Sequence, residues 1–272
     1  MPALASEVNK IALIVGIDGP HLKGCARDAD SVATLANDRF SFARKNIHLL
    51  TSKRATRDEI LQGLHRLAAQ SAEGDELLFY FSGEGGTFID QGNVRNAAHF
   101  EGLCGSDFTW KKQNAITDMD FLSYLRAIDR RAHVTIILDA CYSGGMASAT
   151  AEKATAPPPE IAVARRDALA TRNVARRLHE TVAGFENSVL LSACAADEVA
   201  NESILNGRPC GAFTHFLLSA VRKGPKGISP EHAVRDAAQL LAQAGQAQNP
   251  KCYGADSQKQ RALLGGSRPS SE

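Results

Sequence analysis

Val134-Thr-Ile-Ile-Leu-Asp-Ala-Cys-Tyr-Ser-Gly-Gly145 is the stretch on which the reading of this chain turns. Val134 to Leu138 is a short, mostly apolar run rich in β-branched residues, too short for a typical helix, and reads as a strand buried on both faces. It runs straight into Asp139-Ala-Cys-Tyr-Ser-Gly-Gly145, so Cys141 stands on the turn just beyond a buried strand. Ser143-Gly144-Gly145 lets the backbone bend sharply there and present N–H groups, which suit an oxyanion. A cysteine so placed is a candidate nucleophile. The alternative is a buried thiol beside a turn, because a working thiolate also needs a base within hydrogen-bond reach.

Similar runs lie on either side. Ile11-Ala-Leu-Ile-Val-Gly-Ile17 ends in Asp18-Gly19-Pro20, and Leu77-Leu-Phe-Tyr-Phe81 breaks at Ser82-Gly83-Glu84-Gly85-Gly86. Asn46 to Leu50 and Ser188-Val-Leu-Leu-Ser192 read as further strands. Helical spacing lies between them. Cys25 to Phe40 carries Val32, Leu35 and Ala36 on one side. Thr56 with Glu59 forms a capping-box pattern ahead of Ile60, Leu64 and Leu67. Thr117 or Asp118 caps a helix with Phe121, Leu122, Leu125 and Ile128 apolar, and Gly211 to Val221 and Ser229 to Ala244 are the last helices. Strands alternating with helices predict an α/β fold with a mostly parallel central sheet flanked by helices on both faces. Such sheets place sites beyond the carboxyl ends of their strands. The loops after Phe81 and after Leu138 therefore open onto one cleft.

Composition narrows the function classes. The 272 residues are 44% hydrophobic and 22% charged, as in a globular chain with a sizeable core. A net charge of +1 gives no global field for nucleic acid or an anionic membrane, so neither is an expected partner. No apolar run approaches the roughly 20 residues of a spanning helix, and Met1 to Lys10 lacks the features of a signal peptide, which makes a cytoplasmic protein the expectation. The cysteines, Cys25, Cys104, Cys141, Cys194, Cys210 and Cys252, are widely spaced, unlike a zinc site or a disulfide framework, so most read as small buried apolar residues. Ala147 to Glu186 is alanine-rich and carries Pro157-Pro158-Pro159 with Arg165, Arg166, Arg172, Arg176 and Arg177. It reads as a linker or insertion, partly helical after Glu160.

Five segments, in order, make the chain resemble the caspase-like peptidases (peptidase C14), closest to the metacaspase and orthocaspase branch. Ala12 to Ile17 with Leu22-Lys-Gly-Cys-Ala-Arg-Asp-Ala29 is similar to the first strand and the turn after it. Phe79-Tyr-Phe-Ser-Gly-Glu-Gly-Gly86 resembles the family's Tyr-Ser-Gly-His-Gly segment. Glu101 to Asp107 with Ile116-Thr-Asp118 resembles the stretch leading to the third major helix. Thr135 to Gly145 resembles the Asp-Ser-Cys-His-Ser-Gly nucleophile segment, and Gly211 to Leu218 with Gln248-Asn-Pro250 fits the small-subunit end. The resemblance implies a caspase-like fold: an N-terminal tail over 1–10, a large-subunit-like part over 11–146, a linker over 147–186, a small-subunit-like part over 187–255 and a C-terminal tail over 256–272.

It also implies roles. Cys141 is the nucleophile, and the base falls 57 positions upstream, near the spacing of about 50 seen in caspases, on Glu84. Gly83 and Gly85 take the turn and oxyanion role. Cys25, Asp28, Ser82 and Asp139 fall on the lining of an acidic pocket for Arg or Lys. The pair of carboxylates suits a guanidinium; the alternative is that Asp28 brackets the first helix and Asp139 supports the turn. Of the four calcium-binding aspartates of calcium-activated relatives, two fall on Asp107 and Asp118, and the others become Met119 and Ser148, poor ligands for a hard cation; Asp120 is a partial replacement. No calcium dependence and no cofactor are expected.

Glu84 is the departure. An imidazolium favours a neighbouring thiolate and then protonates the leaving amine, whereas a carboxylate disfavours the thiolate. Of the eight histidines, His21 lies in the loop after the first strand and His99 in the long loop after the Glu84 turn, the two placed to substitute; His133 and His215 read as structural. The leading expectation is a metacaspase-like cysteine endopeptidase homologue, catalytically impaired at Glu84, that binds protein or peptide segments with a basic residue as a pseudoprotease or regulator of an active protease or cell-death effector. The alternatives are an active Arg/Lys-specific endopeptidase with a rearranged base, self-processing in 147–186, and a thiol-based sensor or binding module. Bacterial cell death or defence enters by family analogy alone.

Overall fold

The computed structural model describes residues 8–89, 99–109, 114–140, 182, 184–195, 200–205 and 207–266. Cys141, Ser148, the glycines after Cys141 and nearly all of the 147–186 linker lie outside them.

In chain order the strands are β1 (Lys10–Gly16), β2 (Ile47–Thr51), β3 (Glu76–Ser82), β4 (Gly85–Ile89), β5 (His99–Leu103), β6 (Ile116–Thr117), β7 (His133–Asp139), β8 (Ser188–Ser192), β9 (Glu202–Leu205), β10 (Arg208–Gly211) and β11 (Lys251–Gly254). The helices are α1 (Cys25–Phe40), α2 (Arg57–Gln70), α3 (Asp118–Ala127), α4 (Ala212–Lys223), α5 (Pro230–Gln243) and α6 (Asp256–Gln260). The central sheet has the order β11-β8-β7-β3-β1-β2 and is parallel except for β11. None of the described helices is long and apolar enough to cross a membrane.

Strand alternation sorts the core into two layers. Leu13, Val15, Leu77, Phe79 and Phe81 pack with Ile60, Leu64 and Leu67 of α2 and with Phe121 and Leu125 of α3. Ala12, Ile14, Leu78 and Tyr80 face the other way, against α1, α4 and α5. Each fully buried Leu or Phe contributes roughly 1.5–3 kcal/mol, so the doubly covered strands hold the sheet together. Two caps read from the sequence form: Thr56 accepts the Glu59 N–H (3.3 Å), and Thr117 with Asp120 makes a reciprocal capping box. After β1 the chain places β2 on one side and β3 on the other, so the crevice opens beyond the carboxyl ends of β1 and β3. Gly16 lets α1 start directly over that end: a Cβ there would lie 2.2 Å from the Cys25 carbonyl oxygen.

Three stretches depart from the sequence expectations. The segment after Glu84 is not a long loop but a three-stranded antiparallel sheet, β4-β5-β6, and His99 opens β5 opposite Ile89. Its strands are short and glycine-bearing, which hides the period-2 signal. Glu202 to Gly211 forms a hairpin that the polar and Pro-bearing sequence does not announce. The expected tail from 256 instead carries α6 and two buried leucines, Leu263 and Leu264. Arg261 clamps the buried Glu76 carboxylate with both Nη atoms, and Lys10 Nζ donates to the Leu264 carbonyl (2.9 Å). This staple closes the amino ends of β1 and β3, away from the crevice. Arg261→Ala is expected to lower stability by about 2 kcal/mol, below the roughly 3–5 kcal/mol of a fully buried pair because Arg261 is 25% exposed. A urea midpoint unchanged from that of the unmodified chain would show that the staple contributes nothing.

Candidate functional site

The crevice is built from strand ends that lie level. Gly16 pairs with Ser82 and Ser82 with Asp139, so β1, β3 and β7 finish side by side. Cys25 opens α1, and Asp28 stands one helical turn further on the same face. All four residues expected to line a pocket, Cys25, Asp28, Ser82 and Asp139, are buried here. Cys25 and Ser82 share a side-chain hydrogen bond.

The two carboxylates are held from the far end of the chain. Asp28 Oδ2 accepts the Gly211 N–H at 2.6 Å. Asp139 Oδ2 accepts both the N–H (3.0 Å) and the hydroxyl (2.7 Å) of Thr214. With its proton given to Asp139, Thr214 Oγ1 accepts from the Tyr80 hydroxyl at 2.8 Å. Gly211 lies between the carboxylates: a Cβ there would stand 2.2 Å from Asp139 Oδ2 and 3.0 Å from Asp28 Oδ2. A glycine is what lets both acids reach this segment. A third acid, Glu202 of β9, accepts the N–H groups of Lys23 (2.7 Å) and Gly24 (2.8 Å) and fixes the loop that enters α1.

Burial dominates the electrostatics. It pushes Asp28 up to about 8, against the Gly211 hydrogen bond, with Asp139 and Glu202 adding repulsion. It pushes Asp139 up to about 6, against the two Thr214 hydrogen bonds. Among the described residues neither carboxylate forms an ion pair. The Cys25 thiol is driven far above its ordinary range, first by burial, and is a neutral wall of the site. Two desolvated acids without a cation are costly, and a docked ammonium or guanidinium relieves that cost.

Of the expected catalytic pair, Glu84 lies among the described residues. Glu84 is exposed, two residues beyond Ser82, and its carbonyl accepts the Cys104 N–H at 2.9 Å. That bond makes Gly85 and Leu103 a non-bonded pair, so the Gly85 N–H points away from β5, off the edge of β4 that no described strand pairs with. Gly83 gives its N–H to the Asp139 carbonyl (3.3 Å), so of the two glycines expected at the turn it is the one whose N–H is already engaged. Cys141 lies outside the described residues; Asp139, two positions before it, is the paired neighbour of Ser82, two positions before Glu84. His21 is exposed in the loop between β1 and α1. His133 sits at the opposite end of β7, hydrogen-bonded to Gln258 and lowered mainly by burial. His215 is on α4 and also lowered by burial.

Of the two carboxylates expected as remnants of a calcium set, Asp107 serves the loop itself. Asp107 accepts the Arg57 N–H (2.8 Å) and the Asn114 amide (3.1 Å). Asp120 accepts from the Arg57 guanidinium (3.1 Å) and caps α3. Asp118 is buried at the start of α3, and Met119 is 64% exposed. Among the described residues no group of three metal-ligating side chains comes together.

Gly211, Thr214 and Glu202 are the site residues that sequence reasoning missed. The Gly211 to Leu218 segment was recognisable, but its role is not, because Asp28 and Gly211 are 183 positions apart.

Comparison with known proteins follows the same lines. The metacaspase, peptidase C14 domain family model matches residues 10–150. Metacaspase-9 of Arabidopsis thaliana is 24% identical across 91% of this chain and 94% of its own length. Metacaspase-1A of Aspergillus oryzae is 23% identical across 79% of this chain, which spans 61% of that protein. A crystal structure of a protein from Geobacter sulfurreducens shares the fold, with a TM-score of 0.69 at 21% identity, covering 95% of this chain and 99% of that one.

Proposed function

The chain belongs to the metacaspase, peptidase C14 family, and on that premise we propose that it holds an Arg or Lys side chain of a protein or peptide between Asp28 and Asp139, while Glu84 leaves Cys141 without a competent base. The observation that carries this reading is the pair of buried carboxylates flanking Gly211 with no ion pair among the described residues. A guanidinium fits both acids through directed hydrogen bonds, and the thiol and hydroxyl of Cys25 and Ser82 close the side of the pocket.

Hydrolysis in such a site needs a thiolate, an N–H donor for the oxyanion and a proton for the leaving amine. Gly85 supplies a donor of the right kind. Glu84 supplies neither service of an imidazole: the charge of a carboxylate opposes the thiolate, and a carboxylate has no proton for the amine. The chain is then a pseudoprotease, a binding protein for basic segments of a substrate or of an active peptidase partner. Fluorescence anisotropy with an arginine-containing peptide, followed by mass spectrometry of the same sample, tests it. The expected result is saturable binding with the peptide intact; cleavage that Cys141→Ala abolishes would overturn it.

A further inference from the structure

Both pocket carboxylates are gripped by the first turn of one helix. Gly211, which caps α4, holds Asp28, and Thr214 holds Asp139. That turn is packed into the core: Ala212 and Phe213 are fully buried and Thr214 is 1% exposed. We propose that Thr214 is a specificity-determining positioning residue, whose hydroxyl aims Asp139 Oδ2 and fixes the charge the pocket presents to a basic side chain. The proposal rests on the reading of the pocket as a cation site.

The groups packed around Asp139 leave this task to few atoms. From α1 come Asp28 and the neutral Cys25; from β3, Tyr80 and Ser82; from β9 and β10, Glu202 and Cys210; from α4, Thr214. None is a cation. The Gly211 N–H is spent on Asp28, so donors from Thr214 are what stabilise a charged Asp139. The hydrogen bonds also have one direction. Tyr80 is fully buried and bonded to Thr214 Oγ1, and when it donates there the threonine proton is turned toward Asp139. The main-chain N–H survives any substitution at position 214, but the hydroxyl does not. Removing a donor to a charged acid shifts that acid toward its neutral form, which a guanidinium binds poorly.

Thr214→Val removes the hydroxyl at nearly constant shape, and Thr214→Ser keeps it. Binding of an arginine peptide, measured from pH 5 to 9, is expected to fall about tenfold at pH 7 in Thr214→Val, with the midpoint of its pH profile raised by about one pH unit. Thr214→Ser is expected to stay within about twofold of the unmodified chain. A purely structural threonine would lower affinity equally at every pH and leave the midpoint in place, and that result overturns the proposal. Should Thr214→Val not fold, Tyr80→Phe/Thr214→Val serves instead, since it also removes the Tyr80 hydroxyl that Thr214→Val deprives of its Thr214 partner; Ser82, the other partner of Tyr80, keeps its hydrogen bond to Cys25. A ¹³C carboxyl NMR titration of Asp139, assigned through Asp139→Asn, separates this inference from the ligand reading. If the unmodified chain binds no basic peptide yet Asp139 titrates higher in Thr214→Val, the ligand reading fails and the positioning role stands. An Asp139 titration indifferent to Thr214→Val overturns the positioning role whatever the peptide does.

Discussion

Glu84→His is expected to raise hydrolysis of an arginine-containing fluorogenic peptide by at least about 10²–10⁴-fold, the usual contribution of a positioned acid–base group. The structure favours this simple exchange. Glu84 is exposed, so an imidazole enters without repacking a core. The backbone around it is already fixed, by the Glu84 carbonyl on Cys104 and by the Gly83 N–H on Asp139. The substitution reverses the sign of the electrostatics at the thiol, from a carboxylate that opposes the thiolate to an imidazolium that favours it. The midpoint for alkylation of Cys141 by iodoacetamide is therefore expected to fall in Glu84→His, and to fall less in Glu84→Gln, which only removes the negative charge. Cys141→Ala in the Glu84→His background is expected to abolish the gain. An unmodified chain that cleaves as fast as Glu84→His would mean that another group, such as His21, has taken over the base's role.

The second large effect is a trade between binding and stability at Asp139. Asp139→Asn is expected to weaken arginine-peptide binding by about 30-fold or more, the loss of one partner from a desolvated charge pair. The same substitution is expected to stabilise the unliganded chain above neutral pH. Asp139, pushed up to about 6, and Asp28, pushed up to about 8, both lie above the ordinary carboxylate value of 3.8. The folded chain therefore binds more protons than the unfolded chain from about pH 4 up to those values. Stability is fully present at the acid end of that window and declines as pH rises through it, by about 1.4 kcal/mol per pH unit for each carboxyl titrating. Asp139→Asn removes one of the two groups and flattens the decline between about pH 4 and 6. Urea unfolding at pH 4, 6 and 8 measures the slope directly. A stability that rises with pH across this window in the unmodified chain would show that the two acids are not held as described.

What was legible in the sequence followed the physics of the signal. The parallel core could be read because β1, β3 and β7 are continuous apolar runs, and the turns after β3 and β7 hold the glycine-rich and cysteine-bearing stretches. Residues in register at the strand ends, Ser82 and Asp139, fell into the site because topology brings strand ends together. The β4-β5-β6 sheet was not legible, since Gly85, Gly86 and Gly102 stand where alternating apolar residues would signal a strand. Nor was the docking of residues 256–266, which rests in part on one ion pair, Arg261 with Glu76, 185 positions apart. Gly211 and Thr214 show the same limit within the site. Their types are ordinary for the start of a helix, and only the folded chain reveals that a missing Cβ and one hydroxyl set the geometry of two carboxylates.

The most direct test of the central claim is a calorimetric titration of the unmodified chain with an arginine peptide and with its citrulline counterpart, which keeps the shape and removes the charge. Saturable binding of the arginine peptide, at least about tenfold tighter than citrulline and lost in Asp139→Asn, is the predicted result. Equal affinity for the two peptides, or binding indifferent to Asp139→Asn, would contradict it.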